Sequence, residues 1–180
     1  MTGQKNRFTT TEKLWNLDDK QLKTPNHDAL VLWFMDNWKQ LISFTDEEKF
    51  KERCVYLFDD VEIKSEYPVM SSPTFLAGYI DIALFGRYIA SPEIKYPPFN
   101  NLSINHYIEV KPYVDSFGAV LRQINSYKRF LGCSHRVSSK YYLFTLDDRF
   151  DSQFETQNIT VLHPPADFDI VEVREHYGLV

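Results

Sequence analysis

The apolar positions near the start of the chain follow a helical spacing. Between residues 27 and 42 they recur every three or four positions, which predicts a helix with one buried face. Turn-forming and capping residues at 24–28 precede this run and mark the start of the helix. Thr45 followed three residues later by Glu48 matches a capping box, so we expect a second helix through about residue 57.

The spacing then changes to one that is typical of β-strands. Residues 61–69, 76–85 and 104–114 are rich in β-branched and aromatic side chains and are bounded by turn-forming residues. This pattern predicts three strands. The prolines and asparagines within 91–103 predict a loop between the second strand and the third.

A further helix, with an apolar face, is predicted over residues 117–131. Asp115 and Ser116 can cap its start, and Gly132 is suited to end it. The rest of the chain is predicted to form a strand at 141–145, a short helix at 148–155, a strand at 159–162 and an edge strand at 168–173.

These elements predict a single α/β domain that spans residues 1–180. Its core, at about 27–163, has the order αβββαβ, which we expect to form a central mixed β-sheet flanked by helices. Residues 1–24 are interpreted as an N-terminal arm. Residues 164–180 are interpreted as a C-terminal tail that can add the edge strand.

The composition is consistent with one buried core and with a location in the cytoplasm. Hydrophobic residues make up 43% of the 180 positions and aromatic residues 16%, which is too much apolar surface for a disordered chain. The longest apolar run, at 29–35, is far shorter than the roughly 20 residues that a membrane helix needs, so no membrane partner is expected. Cys54 and Cys133 are too few for a disulfide framework.

The charge of the chain is unevenly distributed. The net charge is −5, but residues 85–140 contain eight basic and three acidic side chains. Because phosphate binding depends on the local field, this basic stretch can attract a polyanion despite the net negative charge. We expect much of that field to come from Arg122, Lys128, Arg129, Arg136 and Lys140.

Two of the predicted strands carry polar residues that can meet on one face of the sheet. Side chains alternate along a strand, so Asp81 should point away from Ile80, Ile82 and Leu84. Glu109 and Lys111 should likewise share the face opposite Ile108 and Val110, about 7 Å apart. If the two strands pair, Asp81 and Glu109 can converge on one cation with Lys111 beside them.

Such a pair of carboxylates suits magnesium. Mg²⁺ prefers oxygen ligands and typically takes one or two carboxylates together with waters and phosphate oxygens. The ion can activate water and neutralise charge on a phosphodiester, and a neighbouring lysine can orient or deprotonate the attacking water. An E-x-K strand alone is usually a solvated face. The order of Asp81, the E-x-K strand and an amphipathic helix is more informative.

With these residues in place, the sequence resembles the PD-(D/E)xK nuclease superfamily, especially its RecB-like and restriction-like exonuclease branches. The resemblance rests on GYID at 78–81, YIEVK at 107–111 and QINSYK at 123–128, which match the family pattern G-x-x-D, E-x-K and Q-x-x-x-Y. It covers about residues 27–163 and implies a restriction-endonuclease-like fold.

The resemblance also implies roles for individual residues. Asp81, Glu109 and the Val110 carbonyl would be metal ligands, with Lys111 as the catalytic lysine and Mg²⁺, or Mn²⁺ in its place, as the cofactor. Gln123 would act in the site beside these residues. Tyr127 would contact the substrate, unless it is simply a core residue, and we add Arg122, Lys128 and Arg129 as further substrate contacts.

Members of this family commonly supply one more acidic ligand. Glu66 is our preferred residue, Asp28 the second, and Glu62 can take the position if the strand register differs. Asp28 is explained equally well as a helix cap. We interpret His27 as a structural histidine.

We therefore expect a Mg²⁺-dependent nuclease that hydrolyses phosphodiester bonds of nucleic acid, DNA rather than RNA, as a single chain or a homodimer. The alternative is a catalytically inactive module on the same fold that binds nucleic acid or protein. Superfamily members that have lost activity usually lack the aspartate or the lysine, and both stand here at Asp81 and Lys111. A third reading is an α/β protein of unrelated function in which the E-x-K triplet is accidental.

Overall fold

A computed structural model describes residues 25–42, 54–56, 61–90, 101–131 and 137–179. The predicted N-terminal arm at 1–24, the start of the helix predicted from Thr45, most of the loop predicted at 91–103, and Arg136 lie outside the described residues.

The described residues form four helices and six strands, and apart from a short additional strand at 54–56 their order between residues 25 and 162 matches the predicted core. The helices predicted at 27–42 and 117–131 are confirmed, and so are the strands predicted at 61–69, 76–85, 104–114, 141–145 and 159–162, although their bounds differ from the predicted ones by up to five residues. The elements are α1 (Pro25–Leu41), β1 (Cys54–Tyr56), β2 (Glu62–Ser72), β3 (Phe75–Ala90), β4 (Asn101–Lys111), α2 (Phe117–Phe130), β5 (Val137–Thr145), α3 (Asp151–Glu155), β6 (Thr160–Leu162) and α4 (Ile170–His176).

The strands form one mixed sheet, so the α/β class is confirmed. Its order is β1-β3-β4-β5-β6, and β2 also pairs with β3. The β3–β4 pair is antiparallel, whereas β4–β5 and β5–β6 are parallel. Strand β3 is the longest and pairs with three other strands. It pairs with β2 along residues 75–85 and with β4 along residues 82–89, and its last residues, 88–90, pair with β1.

A helix covers each face of this sheet. On one face α1 buries Leu30 and Phe34 against a cluster that includes Ile82, Ile108 and Phe144. On the other face α2 packs Val120 and Ile124 against Leu143. Helix α2 begins where predicted, because the Ser116 hydroxyl accepts a hydrogen bond from the Ala119 N–H. Within the described residues no helix is both long and apolar enough to cross a membrane.

The helix predicted to reach residue 57 is wrong at its end. Residues 54–56 form β1, which pairs antiparallel with residues 88–90 at the end of β3. Cys54, Val55 and Tyr56 are a β-branched and aromatic stretch whose conformation follows from this neighbouring strand, which the capping box at Thr45 could not reveal.

The edge strand predicted at 168–173 is also wrong. Asp169 caps a helix instead, since its side chain accepts a hydrogen bond of 2.7 Å from the Val171 N–H, and α4 follows. Apolar residues at helical spacing, from Ile170 to Tyr177, pack with Leu32 of α1. The Tyr177 hydroxyl donates to Asp36 Oδ2 at 2.6 Å, so the C-terminal segment is anchored to α1.

Candidate functional site

Asp81 lies at the point where β3 and β4 separate. The paired register of these strands ends at Ile82 and Ile108, one residue before Asp81 and Glu109 would be opposite each other. There Asp81 Oδ2 accepts a hydrogen bond of 2.7 Å from the Val110 N–H. The Asp81 carboxylate thus accepts a hydrogen bond from β4 in the way that a backbone carbonyl of a paired strand would. The Val110 N–H, one residue after Glu109, fixes the position of the carboxylate relative to β4.

The alternation predicted for β3 does not hold through this point. Ile82 and Leu84 pack in the cluster with α1, as expected, whereas Ile80 packs with Val69 and Tyr107. Strand β2 is irregular here as well. Its residues 65 and 67 pair with residues 82 and 80 of β3, so Glu66 lies opposite Asp81, and Glu66 has a φ of 49°. A non-glycine residue in this left-handed region is uncommon and changes the direction of the strand.

Glu109 is the most deeply buried of the polar residues in this region. Only 1% of its surface is exposed. Its Oε1 atom accepts hydrogen bonds from Lys111 Nζ at 2.5 Å and from Gln123 Nε2 at 2.6 Å. Its Oε2 atom is buried and has no hydrogen-bond partner within the described residues. We call Asp81, Glu109, Lys111 and Gln123 the carboxylate site.

Helix α2 contributes Gln123 through a chain of hydrogen bonds. Gln123 Nε2 is 3.0 Å from the Tyr127 hydroxyl, which donates to the Tyr79 carbonyl of β3 at 2.9 Å. Residues four apart on a helix share one face, so both side chains point toward the sheet. Tyr127 is buried, and its hydroxyl links α2 to β3 directly beside Asp81. Gln123 thus meets Glu109 in the site, where the resemblance had placed it.

His27 was predicted to be only structural, but it contacts the site. Its Nε2 atom lies 3.3 Å from Asp81 Oδ1, and its Nδ1 atom lies 3.0 Å from Asp28 Oδ1. The contact depends on how the first turn of α1 packs across the end of β3. The available signal was the position of His27 at a helix start followed by an acidic residue, which is weak without the tertiary structure.

The environment of the carboxylate site shifts the pKa values of its two carboxylates in opposite directions. Burial, together with the negative charge of Asp81, raises the pKa of Glu109 to about 8, even though Lys111 favours the ionised form. Burial acts on Asp81 in the same direction, but there the hydrogen bond and charge of His27, with the charge of Lys111, hold the pKa below its usual value.

The basic residues are held in their charged forms by the same carboxylates. Burial disfavours the charged form of His27, yet the hydrogen bonds and charges of Asp28 and Asp81 raise its pKa to about 10. Burial also opposes the charge on Lys111, and the negative charges of Glu109 and Asp81 outweigh it and raise the pKa. Within the described part of the chain, His27 and Lys111 therefore supply positive charge that faces Asp81 and Glu109.

The residues present fit a hard divalent cation. A buried carboxylate oxygen without a partner, Glu109 Oε2, lies in a site with a second carboxylate, and ionised carboxylates are what Mg²⁺ binds. Among the residues that the structure describes, no group of three or more His, Cys, Asp or Glu side chains is arranged to hold a metal. An ion here would depend on Asp81 and Glu109, with the Val110 carbonyl as the predicted third ligand and water for the rest.

The predicted additional acidic ligand does not belong to a preassembled site. Glu66 is opposite Asp81 in β2 and has a left-handed backbone, and among the described residues it does not belong to a group of three or more potential metal ligands. Glu62 lies further along β2, opposite Phe85, and pairs with Lys64. Asp28 contacts the site only through His27. Of the acidic residues that we considered, only Asp81 and Glu109 are part of the carboxylate site.

The basic residues predicted to contact substrate have different environments. Arg122 and Arg129 are exposed on α2. Lys128 instead donates hydrogen bonds to the carbonyls of Gln157 and Asn158, and its ammonium lies over the Tyr141 ring. Lys128 therefore has a structural partner that Arg122 and Arg129 lack among the hydrogen bonds of the described residues.

Comparisons of the chain with protein-family models, with curated proteins and with solved structures found no match.

Proposed function

We propose that the chain is a Mg²⁺-dependent nuclease with a restriction-endonuclease-like fold. It hydrolyses the phosphodiester bonds of nucleic acid, and it acts on DNA in preference to RNA. The observation that carries the proposal is the state of Glu109. This carboxylate is buried next to Asp81, with one oxygen bound by Lys111 and Gln123 and the other without a partner. Burial raises the pKa of Glu109 to about 8 and leaves Oε2 without a partner among the described residues, and a bound divalent cation would favour the ionised carboxylate and bind that oxygen.

The element order supports the same proposal. A helix, three antiparallel strands, a helix and a parallel strand occur in the order expected of that fold, and the motif residues of β3, β4 and α2 meet at one edge of the sheet. Unrelated folds can share such an order, so the residues at this edge carry more weight than the topology.

Each residue of the carboxylate site has a role in the proposed reaction. Asp81 and Glu109 would hold the ion, which supplies an activated water and neutralises charge on the phosphate. Lys111 is kept as an ammonium and remains 29% exposed, so it can approach a phosphate oxygen or the attacking water. Gln123 holds Glu109 in place, and His27 holds Asp81.

The test is a cleavage assay with end-labelled duplex, single-stranded and branched DNA and RNA, in Mg²⁺, Mn²⁺ or EDTA. Cleavage should require the divalent ion and should be greatly slowed in Lys111→Ala. Lys64→Ala is the matched control, because Lys64 also lies two residues from a glutamate on a strand, but in an exposed pair with Glu62. Metal-independent cleavage, or none with any substrate, would contradict the proposal. Binding without cleavage would favour the inactive module.

A further inference from the structure

A pocket of about 580 Å³ opens directly beside the carboxylate site. Two of its residues, His27 and Lys111, already contact Asp81 or Glu109. Its volume lies within the range of about 300–1,000 Å³ that is usual for small-ligand sites. The pocket, which we call the Tyr113 pocket, is lined by Pro25, Asn26, His27, Lys111, Pro112, Tyr113, Asp115 and Arg174.

Tyr113 forms an exposed aromatic surface on rigid backbone. Its side chain is 59% exposed, although both neighbouring residues are fixed. The Pro112 carbonyl accepts a hydrogen bond from the Leu146 N–H, and the Val114 N–H donates to Asp147 Oδ2. Val114 is buried in the core. The ring of Tyr113 is thus held at the pocket by a backbone that is bound on both sides.

Arg174 places a further cation at the pocket, in addition to His27 and Lys111. Its Nε donates to the Leu179 carbonyl at 3.3 Å, and its Nη1 lies 3.5 Å from Asn26 Oδ1. Within the described part of the chain these partners are neutral oxygens, so the guanidinium can still bind an anion. His27, Lys111 and Arg174 give the lining three basic side chains against one acidic side chain, Asp115.

We infer that the Tyr113 pocket binds one unstacked nucleotide of the substrate strand, with its base on the Tyr113 ring and its phosphate near Arg174 and Lys111. Inside a duplex both faces of a base are covered by its neighbours, so a single base can enter the pocket and stack on the Tyr113 ring only after it has left the stack. The substrate class is therefore single-stranded DNA, or a duplex that is frayed or flapped next to the cleaved bond. The inference rests on the proposed function, because it places the nucleotide beside the proposed scissile phosphate.

The test measures binding in EDTA, so that cleavage does not interfere, by fluorescence anisotropy with a short labelled oligothymidylate and with a blunt duplex of equal length. Tyr113→Ala should weaken single-strand binding by about 5- to 150-fold, the usual effect of losing one stacked base. Tyr113→Phe keeps the aromatic face and should bind as the parent does. Phe75→Ala is the matched control, because Phe75 is 65% exposed but does not line the pocket.

The inference is overturned if Tyr113→Ala binds the single strand as tightly as the parent does, if no single-strand binding is seen, or if Phe75→Ala causes an equal loss. It is also overturned if the duplex loses as much affinity as the single strand. A Tyr113-dependent affinity without cleavage in Mg²⁺ would refute the proposed nuclease and leave the nucleotide pocket standing. Cleavage that does not depend on Tyr113 would refute the pocket alone.

Discussion

Gly78 and Tyr127 are in such close contact that a Cβ atom at position 78 would lie 3.2 Å from Cε1 and 3.3 Å from the hydroxyl of the tyrosine ring. That hydroxyl is fixed by the Tyr79 carbonyl and by Gln123. The glycine of β3 and the tyrosine of α2 are thus one packing unit, and this unit sets how closely Gln123 approaches Glu109.

We expect Gly78→Ala to destabilise the protein by about 1–3 kcal/mol, because a methyl group would be forced against a ring that cannot move away. It should also slow cleavage, since Gln123 would be displaced with Tyr127. Urea denaturation gives the stability. In a Tyr127→Ala background the alanine at 78 should cost far less, and simple additivity of the two changes would contradict the proposed contact.

The contact shows what the sequence could and could not predict. The four-residue spacing of Gln123 and Tyr127 and the alternation of Glu109 and Lys111 are local, and they indicated correctly which side chains point together. The role of His27 depends on the packing of α1 across the end of β3, and the turn of Ile80 on an irregularity in β2. The C-terminal strand was mispredicted because FDIVEV suits either a strand or a helix until α1 provides its partner.

Lys111→Ala should slow cleavage by on the order of 10²–10³-fold, the usual effect of removing one group that stabilises charge in a transition state. Nucleic-acid binding should weaken by much less than this, because the ammonium interacts mainly with Glu109 in the unbound protein and Arg174 still faces the proposed phosphate position. Single-turnover kinetics at saturating enzyme separate the two effects. Wild-type rates in this variant would leave the carboxylate site without a catalytic role for its lysine.

Glu109→Gln should raise the melting temperature of the metal-free protein, because folding raises the pKa of Glu109 to about 8 and so requires the carboxylate either to take up a proton or to stay charged beside Asp81. Glutamine is neutral and keeps an oxygen for Lys111 and Gln123. The parent should gain about 2.7 kcal/mol when Mg²⁺ is present at 100 times its Kd. The variant should lose most of that gain. Thermal melts with and without Mg²⁺ test both statements, and an equal Mg²⁺ shift in both proteins would exclude Glu109 as a ligand.

Arg122→Ala and Arg129→Ala should each lower the slope of log affinity against log salt by about 0.9 if each arginine contacts one DNA phosphate. Lys128→Ala serves as the control, since Lys128 is bound to the carbonyls of residues 157 and 158. It should affect stability more than the salt slope. Binding titrations at several salt concentrations decide whether this face of α2 meets the backbone of the nucleic acid.

His106 predicts an acid-sensitive contribution to stability. It is buried with Nδ1 2.9 Å from the Tyr142 hydroxyl, and burial, aided by the charge of Lys140, lowers its pKa from 6.5 to about 3. Below pH 6.5 the imidazole of His106 binds a proton in the unfolded chain, whereas in the folded chain it stays neutral until the pH falls to about 3. The stability that neutral His106 provides is therefore present above pH 6.5 and is lost as the pH falls toward 3.

The free energy of unfolding, followed by urea denaturation across this range, should fall less steeply in His106→Gln, by up to about 1.4 kcal/mol per pH unit. His176→Gln, at an exposed position, should keep the parental slope. Identical slopes for all three proteins would show that His106 does not titrate in this way.

The hydrogen bond between the Asp81 carboxylate and the Val110 N–H has a consequence for how such a chain can change during evolution. Asp81 closes the sheet where β3 and β4 separate, so a lineage that no longer needed the chemistry would still be selected to keep an acceptor there. Among the hydrogen bonds of the described residues, the Lys111 side chain makes none to the backbone and binds the Glu109 side chain instead. If the proposed nuclease activity were no longer needed, the lysine could therefore be lost before the aspartate, and an aspartate retained at this place in a descendant would be poor evidence of activity.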